Sequence, residues 1–173
     1  MSIFDDYMQK LGKKIPLNIL FVCSGNICRS AYADYEFRKL ISNSEALKDK
    51  IKVKSAGLEF RNTTIHPNTK RYLLEKGFKE EDIDKHIPKY IQDHQDLFED
   101  ADIIIGMTNS HKLSTPKRFR DKFIQLSKLA VDEKIEIEDP YFVDTYDEYA
   151  KILQVIDGFL LKLLQKLNEF YNK

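Results

Sequence analysis

The chain has 173 residues, of which 42% are hydrophobic, and this length and composition suit one compact domain with a single core. Lys plus Arg and Asp plus Glu number 28 each, which excludes an overall electrostatic attraction to nucleic acid or to an anionic membrane. The N-terminus is acidic, lacks an apolar core of signal-peptide length, and no apolar run could span a bilayer, so we expect a cytoplasmic protein that binds neither nucleic acid nor membrane.

The first part of the chain predicts a short helix, a buried strand and a second helix. Apolar residues within 4–11 recur at helical spacing, and Gly12 then supplies a stop. The nearly continuous apolar run 17–22 ends abruptly at Cys23, as a buried parallel strand does. Helical spacing resumes shortly afterwards, with Ser30 as the predicted N-cap. This strand-to-helix junction is the place where α/β proteins bind ligands.

Strand and helix patterns continue to alternate toward the C-terminus, without a repeat, a low-complexity tract or a linker. This alternation is typical of a single α/β domain. The remaining predicted elements are strands at 51–56, 101–107 and 123–126, helices at 68–76 and 94–99, and a long C-terminal helix with Thr145 and Glu148 as its capping box.

One short segment joins the first strand to the next helix, and it reads Cys23-Ser24-Gly25-Asn26-Ile27-Cys28-Arg29-Ser30. A loop of this length can curl so that its backbone N–H groups converge, and Gly25 and Asn26 tolerate the left-handed dihedrals that such curling requires. The helix that follows directs its positive dipole end into the loop, and Arg29 can clamp two phosphate oxygens with its planar fork. The pattern predicts a phosphate-binding loop.

Cysteine in this loop indicates a reactive role rather than a structural one. Two cysteines are too few for a disulfide scaffold, and no Cys/His cluster has zinc-site spacing. We therefore expect no metal. The groups that favour a bound anion also favour the Cys23 thiolate, which makes Cys23 the candidate nucleophile, and Ser30 can donate a hydrogen bond to its sulfur. Cys28 can form a reversible disulfide that shields Cys23 from overoxidation, or it can be a merely structural thiol.

The stretch 22–30 closely resembles the signature loop of the low-molecular-weight protein tyrosine phosphatases. The resemblance continues through 55–57, 96–107 and 139–141 in the order that this family shows, from about Leu17 to the C-terminus. It implies a single three-layer α/β domain at 17–173, with a central four-stranded parallel sheet flanked by helices and with neither metal nor cofactor. Residues 1–16 lie outside it as an N-terminal helical extension.

The resemblance also implies roles for individual residues. Cys23 would form a cysteinyl phosphate, with the phosphate held by the 23–30 loop and Arg29. Asp139 would serve as general acid in the first step and general base in the second. Tyr141 would form one wall of a slot for an aromatic ring. The expected substrate is a phosphotyrosine-containing protein, the product is inorganic phosphate, and the protein is expected to be mostly monomeric.

Support for the loop is implied as well, because Ser55 and His86 would hold Asn26 in its strained conformation. Two departures from the family concern this support. Thr108 stands where an aspartate is frequent in the family, and Lys89 stands where an arginine is frequent. The ion pairs that usually support the loop in this family are therefore not expected here. The pattern gives no role to the other histidines, which are His66, His94 and His111.

Alternative functions of the same pattern are distinguished by single features. A thiol-linked arsenate reductase needs further cysteines downstream, and none follows Cys28. A protein-arginine phosphatase is favoured by a threonine in the loop, where Ile27 stands here. A non-catalytic phosphate-binding or phosphocarrier module does not need Arg29 or Asp139. Phosphotyrosine hydrolysis is therefore the preferred hypothesis.

Overall fold

Four parallel strands form the centre of the protein, seen in a computed structural model that describes residues 1–173. Their order in the sheet is β2-β1-β3-β4. The sheet and its flanking helices confirm the predicted α/β class and the four-stranded parallel sheet. The strands are β1 (Leu17–Cys23), β2 (Ile51–Gly57), β3 (Ile103–Gly106) and β4 (Phe123–Gln125).

The strand order decides where a ligand can bind. The chain leaves β1 to reach β2 on one side, and then crosses to place β3 on the other side of β1. The register sets Cys23 beside Gly57 at the carboxyl end of β1. Crevices at such a reversal, outside the carboxyl ends of the strands, are the usual ligand sites of open α/β sheets.

Helices cover both faces of the sheet, and five of the eight were predicted from the sequence. The other three, α4, α6 and α7, have four to six residues, too few to show a helical period. The helices are α1 (Ile3–Leu11), α2 (Arg29–Ser42), α3 (Pro67–Glu75), α4 (Glu80–Ile83), α5 (Gln95–Asp100), α6 (Asn109–Ser114), α7 (Leu126–Val131) and α8 (Tyr146–Tyr171).

The core is divided by the sheet, because successive side chains of a strand point to opposite faces. Ile19 and Phe21 face a large cluster that includes residues of α1, α2 and α8. Leu20 and Val22 face a smaller cluster that includes Phe98. The nearly continuous apolar run of β1 therefore reflects burial on both faces.

Two predicted helix caps differ from the structure. Helix α2 begins at Arg29, so the N-cap position belongs to Cys28, and Ser30 lies inside the first turn. Ser30 is no cap because its hydroxyl lies against the Cys23 sulfur instead. At α8 the Thr145 hydroxyl accepts from the Glu148 N–H, as predicted. The Glu148 carboxylate accepts from that hydroxyl rather than from the backbone, so the reciprocal half of the box is missing.

Helix α1 packs against α7. Phe4 and Met8 are buried, and the Tyr7 hydroxyl donates to the Lys122 carbonyl at 2.8 Å. Gly12 ends the helix with a φ of 74°, in the left-handed region that favours glycine. The N-terminal segment therefore completes the core on this side. None of the helices combines the length and the apolar character that crossing a bilayer requires.

The packing of α1 can be tested through stability. Met8 is fully buried, so we expect Met8→Ala to lower the free energy of unfolding by about 3 kcal/mol, because it leaves a cavity. The matched control is Gln9→Ala on the exposed face of the same helix, which we expect to change it by less than about 0.5 kcal/mol. Urea unfolding measures both values, and equal small losses would show that α1 does not belong to the folded core.

Candidate active site

The loop between β1 and α2 is bent at one residue. Asn26 has a φ of 58°, whereas Gly25 is not in the left-handed region, so only half of the expectation for this pair is met. Gly25 instead allows Asn62 to approach: a Cβ at residue 25 would lie 2.6 Å from Nδ2 of Asn62 and would displace this side chain, which donates to the Gly25 carbonyl at 3.0 Å. Below the loop, a Cβ on Gly57 would lie 3.0 Å from the Gly25 carbonyl carbon. Glycine thus permits close contact on both sides of the loop.

Cys23 lies at the start of this loop as a free, buried thiol. Its Sγ is 2.9 Å from the Ser30 hydroxyl and 3.4 Å from the Ser30 N–H. The Ser30 oxygen already accepts a hydrogen bond from Asn26 Nδ2 at 2.9 Å, so its hydroxyl proton is available for the sulfur. Hydrogen bonds donated to sulfur favour the thiolate, which is the nucleophilic form.

Asn26 is held from several sides. Its Nδ2 also donates to the Ser55 hydroxyl at 2.9 Å, and its Oδ1 accepts from the Lys89 N–H at 3.0 Å, which fixes the orientation of the amide. His86 Nε2 lies 2.9 Å from the Asn26 carbonyl, an acceptor, so His86 is the donor. Ser55 in turn donates to Asp34 at 2.6 Å. The contacts implied for Ser55 and His86 are thus present, and Asp34, which the sequence did not single out, supports them.

Arg29 is buried and is held at both terminal nitrogens. Its NH1 donates to the Ile137 carbonyl at 2.9 Å, and its NH2 lies 3.5 Å from Asp139 Oδ2. The Ile137 N–H donates to the Met107 carbonyl at 3.1 Å, so the end of β3 anchors this contact. The Arg29 Nε is buried without a partner in the protein. A buried donor of this kind is open to an acceptor from a ligand.

His111 is buried beside Arg29. Its Nδ1 accepts from the N–H groups of Met107 and Thr108 at 3.1 and 3.3 Å, so the proton of the neutral ring lies on Nε2. Nε2 is 3.5 Å from Arg29 NH2. Because both nitrogens carry hydrogens there, this is a packing contact and not a hydrogen bond. Burial, with a smaller contribution from Arg29, lowers the pKa of His111 to about 3, so the ring is neutral.

Asp139 is the N-cap of a single 3₁₀ turn, Pro140–Phe142. Its Oδ1 accepts from the Tyr141 N–H at 3.1 Å, and its side chain is 31% exposed. Tyr141 and Phe142 are exposed large aromatic residues at the same rim. A carboxylate that is partly exposed, next to aromatic surface, can exchange a proton with a bound group or with water.

A cleft of about 510 Å³ brings these groups together, and the lining includes Cys23, Arg29, Asp139 and Tyr141. Ser24, Gly25, Ile27 and Cys28 also line it. The side chains of Asn26 and Ser30 are fully buried and do not line the cleft. The cleft also contains residues that the sequence did not indicate, namely Glu59, Phe60, Arg61, Asn62 and Phe142.

Two further features bear on the choice of site. A larger cavity of about 700 Å³ lies behind Ser55 and His86, but its lining includes no cysteine and no part of the 23–30 loop. The smaller cleft is therefore the candidate active site.

Within it, burial raises the pKa of Cys28 to about 12, so this thiol stays protonated in neutral solution. A protonated thiol is a poor nucleophile, which leaves Cys23 for that task.

The buried neutral His111 predicts a specific pH dependence of stability. Its pKa falls from 6.5 to about 3 on folding, so the unfolded chain binds the proton first and stability is lost as pH falls through this window. Between about pH 7 and 5 we expect the wild type to lose about 2 kcal/mol more than His111→Gln. Urea unfolding at both pH values measures the difference.

The control for this experiment is His94→Gln, because His94 is only partly buried whereas His111 is fully buried. We expect this variant to follow the pH dependence of the wild type. Equal losses in the wild type and in His111→Gln would contradict a neutral His111 beside Arg29.

Comparison with known proteins gives relatives over nearly the full chain. A family model described as low molecular weight phosphotyrosine protein phosphatase matches residues 18–172. The protein-arginine-phosphatase of Bacillus subtilis (strain 168) is 30% identical over 158 residues, which cover 88% of this chain and 98% of that protein. The low molecular weight phosphotyrosine protein phosphatase of Rattus norvegicus is 30% identical over 165 residues, 90% of this chain and 99% of that protein.

A solved structure adds chemical information about one relative. It is the YwlE arginine phosphatase as a cysteine-to-serine mutant with a phosphorylated active site serine. It matches this fold with a TM-score of 0.74 at 28% identity, covering 87% of this chain and 95% of that chain. In that relative the active-site nucleophile position carries the phosphate. The resemblance inferred from the signature loop is confirmed, and the chain belongs to the low molecular weight phosphotyrosine protein phosphatase family of phosphoric monoester hydrolases.

Proposed function

We propose that this protein hydrolyses phosphotyrosine in proteins through a phosphate ester of Cys23. The observation that carries the proposal is the meeting of Cys23, Arg29 and Asp139 in one cleft with Tyr141 on its rim. A nucleophile, a cation for the phosphate and a proton donor are what the cleavage of a phosphate monoester requires.

The first step uses the loop as an anion cradle. The substrate phosphate binds above Cys23, and Arg29 offers it the Nε hydrogen that has no partner in the protein. The Cys23 thiolate attacks phosphorus, a P–S bond forms, and the bond from phosphorus to the tyrosyl oxygen breaks. Asp139, protonated for this step, gives its proton to that oxygen, so the tyrosine leaves as a neutral phenol.

The second step returns the enzyme to its starting state. The Asp139 carboxylate accepts a proton from a water molecule, which attacks phosphorus and releases inorganic phosphate. The P–S bond breaks and its electron pair returns to Cys23. The hydrogen bond from Ser30, at 2.9 Å, stabilises the sulfur as it becomes a thiolate again. One carboxyl group thus serves both steps, and the residues involved need neither metal nor cofactor.

Preference for tyrosine rests on the walls of the cleft. Tyr141 and Phe142 offer exposed aromatic surface at the rim, where the ring of a phosphotyrosine would stack. Ile27 adds an apolar side chain from the loop itself. These groups suit a flat apolar leaving group better than a charged guanidinium.

Phosphoarginine is the second candidate substrate, and two observations favour it. A protein-arginine-phosphatase is among the relatives that are 30% identical to this chain. In addition, Glu59 lines the cleft and would offer a carboxylate to a guanidinium, although its Oε1 already accepts from Ser114 at 2.9 Å. Arsenate reduction is disfavoured, because no cysteine follows Cys28 to carry the disulfide onward.

The acid and nucleophile roles can be tested together with phenyl phosphate. We expect Cys23→Ser to abolish turnover and Asp139→Asn to lower kcat about 100-fold, because the amide cannot donate the proton. Asparagine also keeps the contact to the Tyr141 N–H. For p-nitrophenyl phosphate, whose leaving group needs less protonation, we expect a smaller loss in Asp139→Asn.

The matched control is Asp144→Asn, an exposed aspartate shortly after the same 3₁₀ turn, which we expect to keep the wild-type rate. A fully active Cys23→Ser variant would show that Cys23 is not the nucleophile. Equal losses of kcat for the two substrates in Asp139→Asn would show that Asp139 is not the general acid.

A further inference from the structure

His66 contacts the 23–30 loop, the start of α3 and Tyr141, and the sequence pattern assigned it no role. It is the N-cap of α3, and its Nδ1 accepts from the Asn68 N–H at 3.0 Å. Its backbone N–H donates to the Ile27 carbonyl at 3.2 Å. The residue is therefore bonded both to the phosphate loop and to the start of a helix.

The ring of His66 is fixed in orientation by a second contact. It stacks on Tyr149 at 5.0 Å between ring centroids, with the two planes 24° apart. Tyr149 is fully buried at the start of α8, and its hydroxyl pairs with that of Thr69 at 2.7 Å. Because the cap holds one edge of the imidazole and Tyr149 holds one face, the position of the ring is defined by the core.

Tyr141 contacts this ring. Its aromatic ring meets His66 in a T-shaped contact at 5.8 Å between centroids, with the planes 75° apart. Tyr141 is 57% exposed, and its other aromatic neighbour, Phe142, is 79% exposed and so provides no anchor. His66 is the anchored aromatic group beside the wall of the cleft.

The charge of His66 is compatible with such a contact. Burial lowers the pKa of His66, and the nearby Asp139 carboxylate only partly opposes this effect. The ring is therefore neutral in neutral solution, where it does not compete with Arg29 for the carboxylate or for the substrate phosphate.

We propose that His66 is a positioning residue that holds Tyr141 over the cleft and thereby sets the preference of the enzyme for aryl phosphates over alkyl phosphates. The inference rests on the proposed function, since it concerns the wall against which the leaving group binds.

Two substitutions separate the ring from the cap. His66→Asn keeps a strong N-cap and removes the ring, whereas His66→Phe keeps a ring and removes the cap. In His66→Asn we expect KM for phenyl phosphate to rise about fivefold, with kcat and the inhibition constant of inorganic phosphate each within about twofold, because one aromatic contact is lost. For glycerol phosphate we expect no change in KM. In His66→Phe we expect KM for phenyl phosphate to stay near the wild-type value while the melting temperature falls.

A double-mutant cycle links the effect to Tyr141. Tyr141→Ala alone should raise KM for phenyl phosphate, and adding His66→Asn to it should raise KM no further. An additive increase, or an unchanged KM in His66→Asn alone, would overturn the inference.

A readout independent of catalysis is available because the chain contains no tryptophan. In Tyr141→Trp the only tryptophan stands at the rim, and we expect acrylamide to quench it more strongly when His66→Asn is added, but not when His66→Phe is added. If the wild type hydrolyses no aryl phosphate, the proposed function fails, yet the quenching still reports whether His66 holds the rim. If the wild type is active but acrylamide quenches Tyr141→Trp equally with and without the His66 substitutions, only the positioning role of His66 fails.

Discussion

Asn26 has a left-handed backbone that an L-residue adopts at a cost of about 1 to 2 kcal/mol, and the 23–30 loop keeps its shape only while that cost is offset. Its side-chain amide is bonded to Ser30, Ser55 and the Lys89 backbone, and its carbonyl is bonded to His86. The bond to Ser30 also leaves the serine proton for the cysteine sulfur. The interactions that shape the loop are therefore the same ones that favour the reactive form of the nucleophile.

The guanidinium of Arg29 has little freedom to move within the site. Arg29 is buried, and it meets one carbonyl, one carboxylate and one neutral imidazole, from Ile137, Asp139 and His111. A charged group at the position of His111 would either compete for the guanidinium or repel it. With a neutral ring there, His111 does neither, and the Nε hydrogen of Arg29 has no partner in the protein.

The elements with strong local signals could be predicted from the sequence. The run that ends at Cys23, the turn at Asn26 and the long amphipathic α8 all carry their information within a few neighbouring residues. The misassigned cap at Ser30 shows the limit of that approach, since its hydroxyl is drawn to a sulfur across the loop. His66 and His111 could not be assigned, because their contacts come from segments that are distant in sequence and become neighbours only after folding.

The most direct test of the proposed activity compares two substrates that differ only in the phosphorylated side chain. One peptide sequence would be prepared with phosphotyrosine or with phosphoarginine, and kcat/KM for phosphate release would be measured for both with the reduced wild-type protein. The aromatic rim of Tyr141 and Phe142 and the apolar Ile27 lead to a preference for the phosphotyrosine peptide of about 100-fold or more. Equal rates, or faster release from phosphoarginine, would contradict the proposal and assign the cleft to a guanidinium.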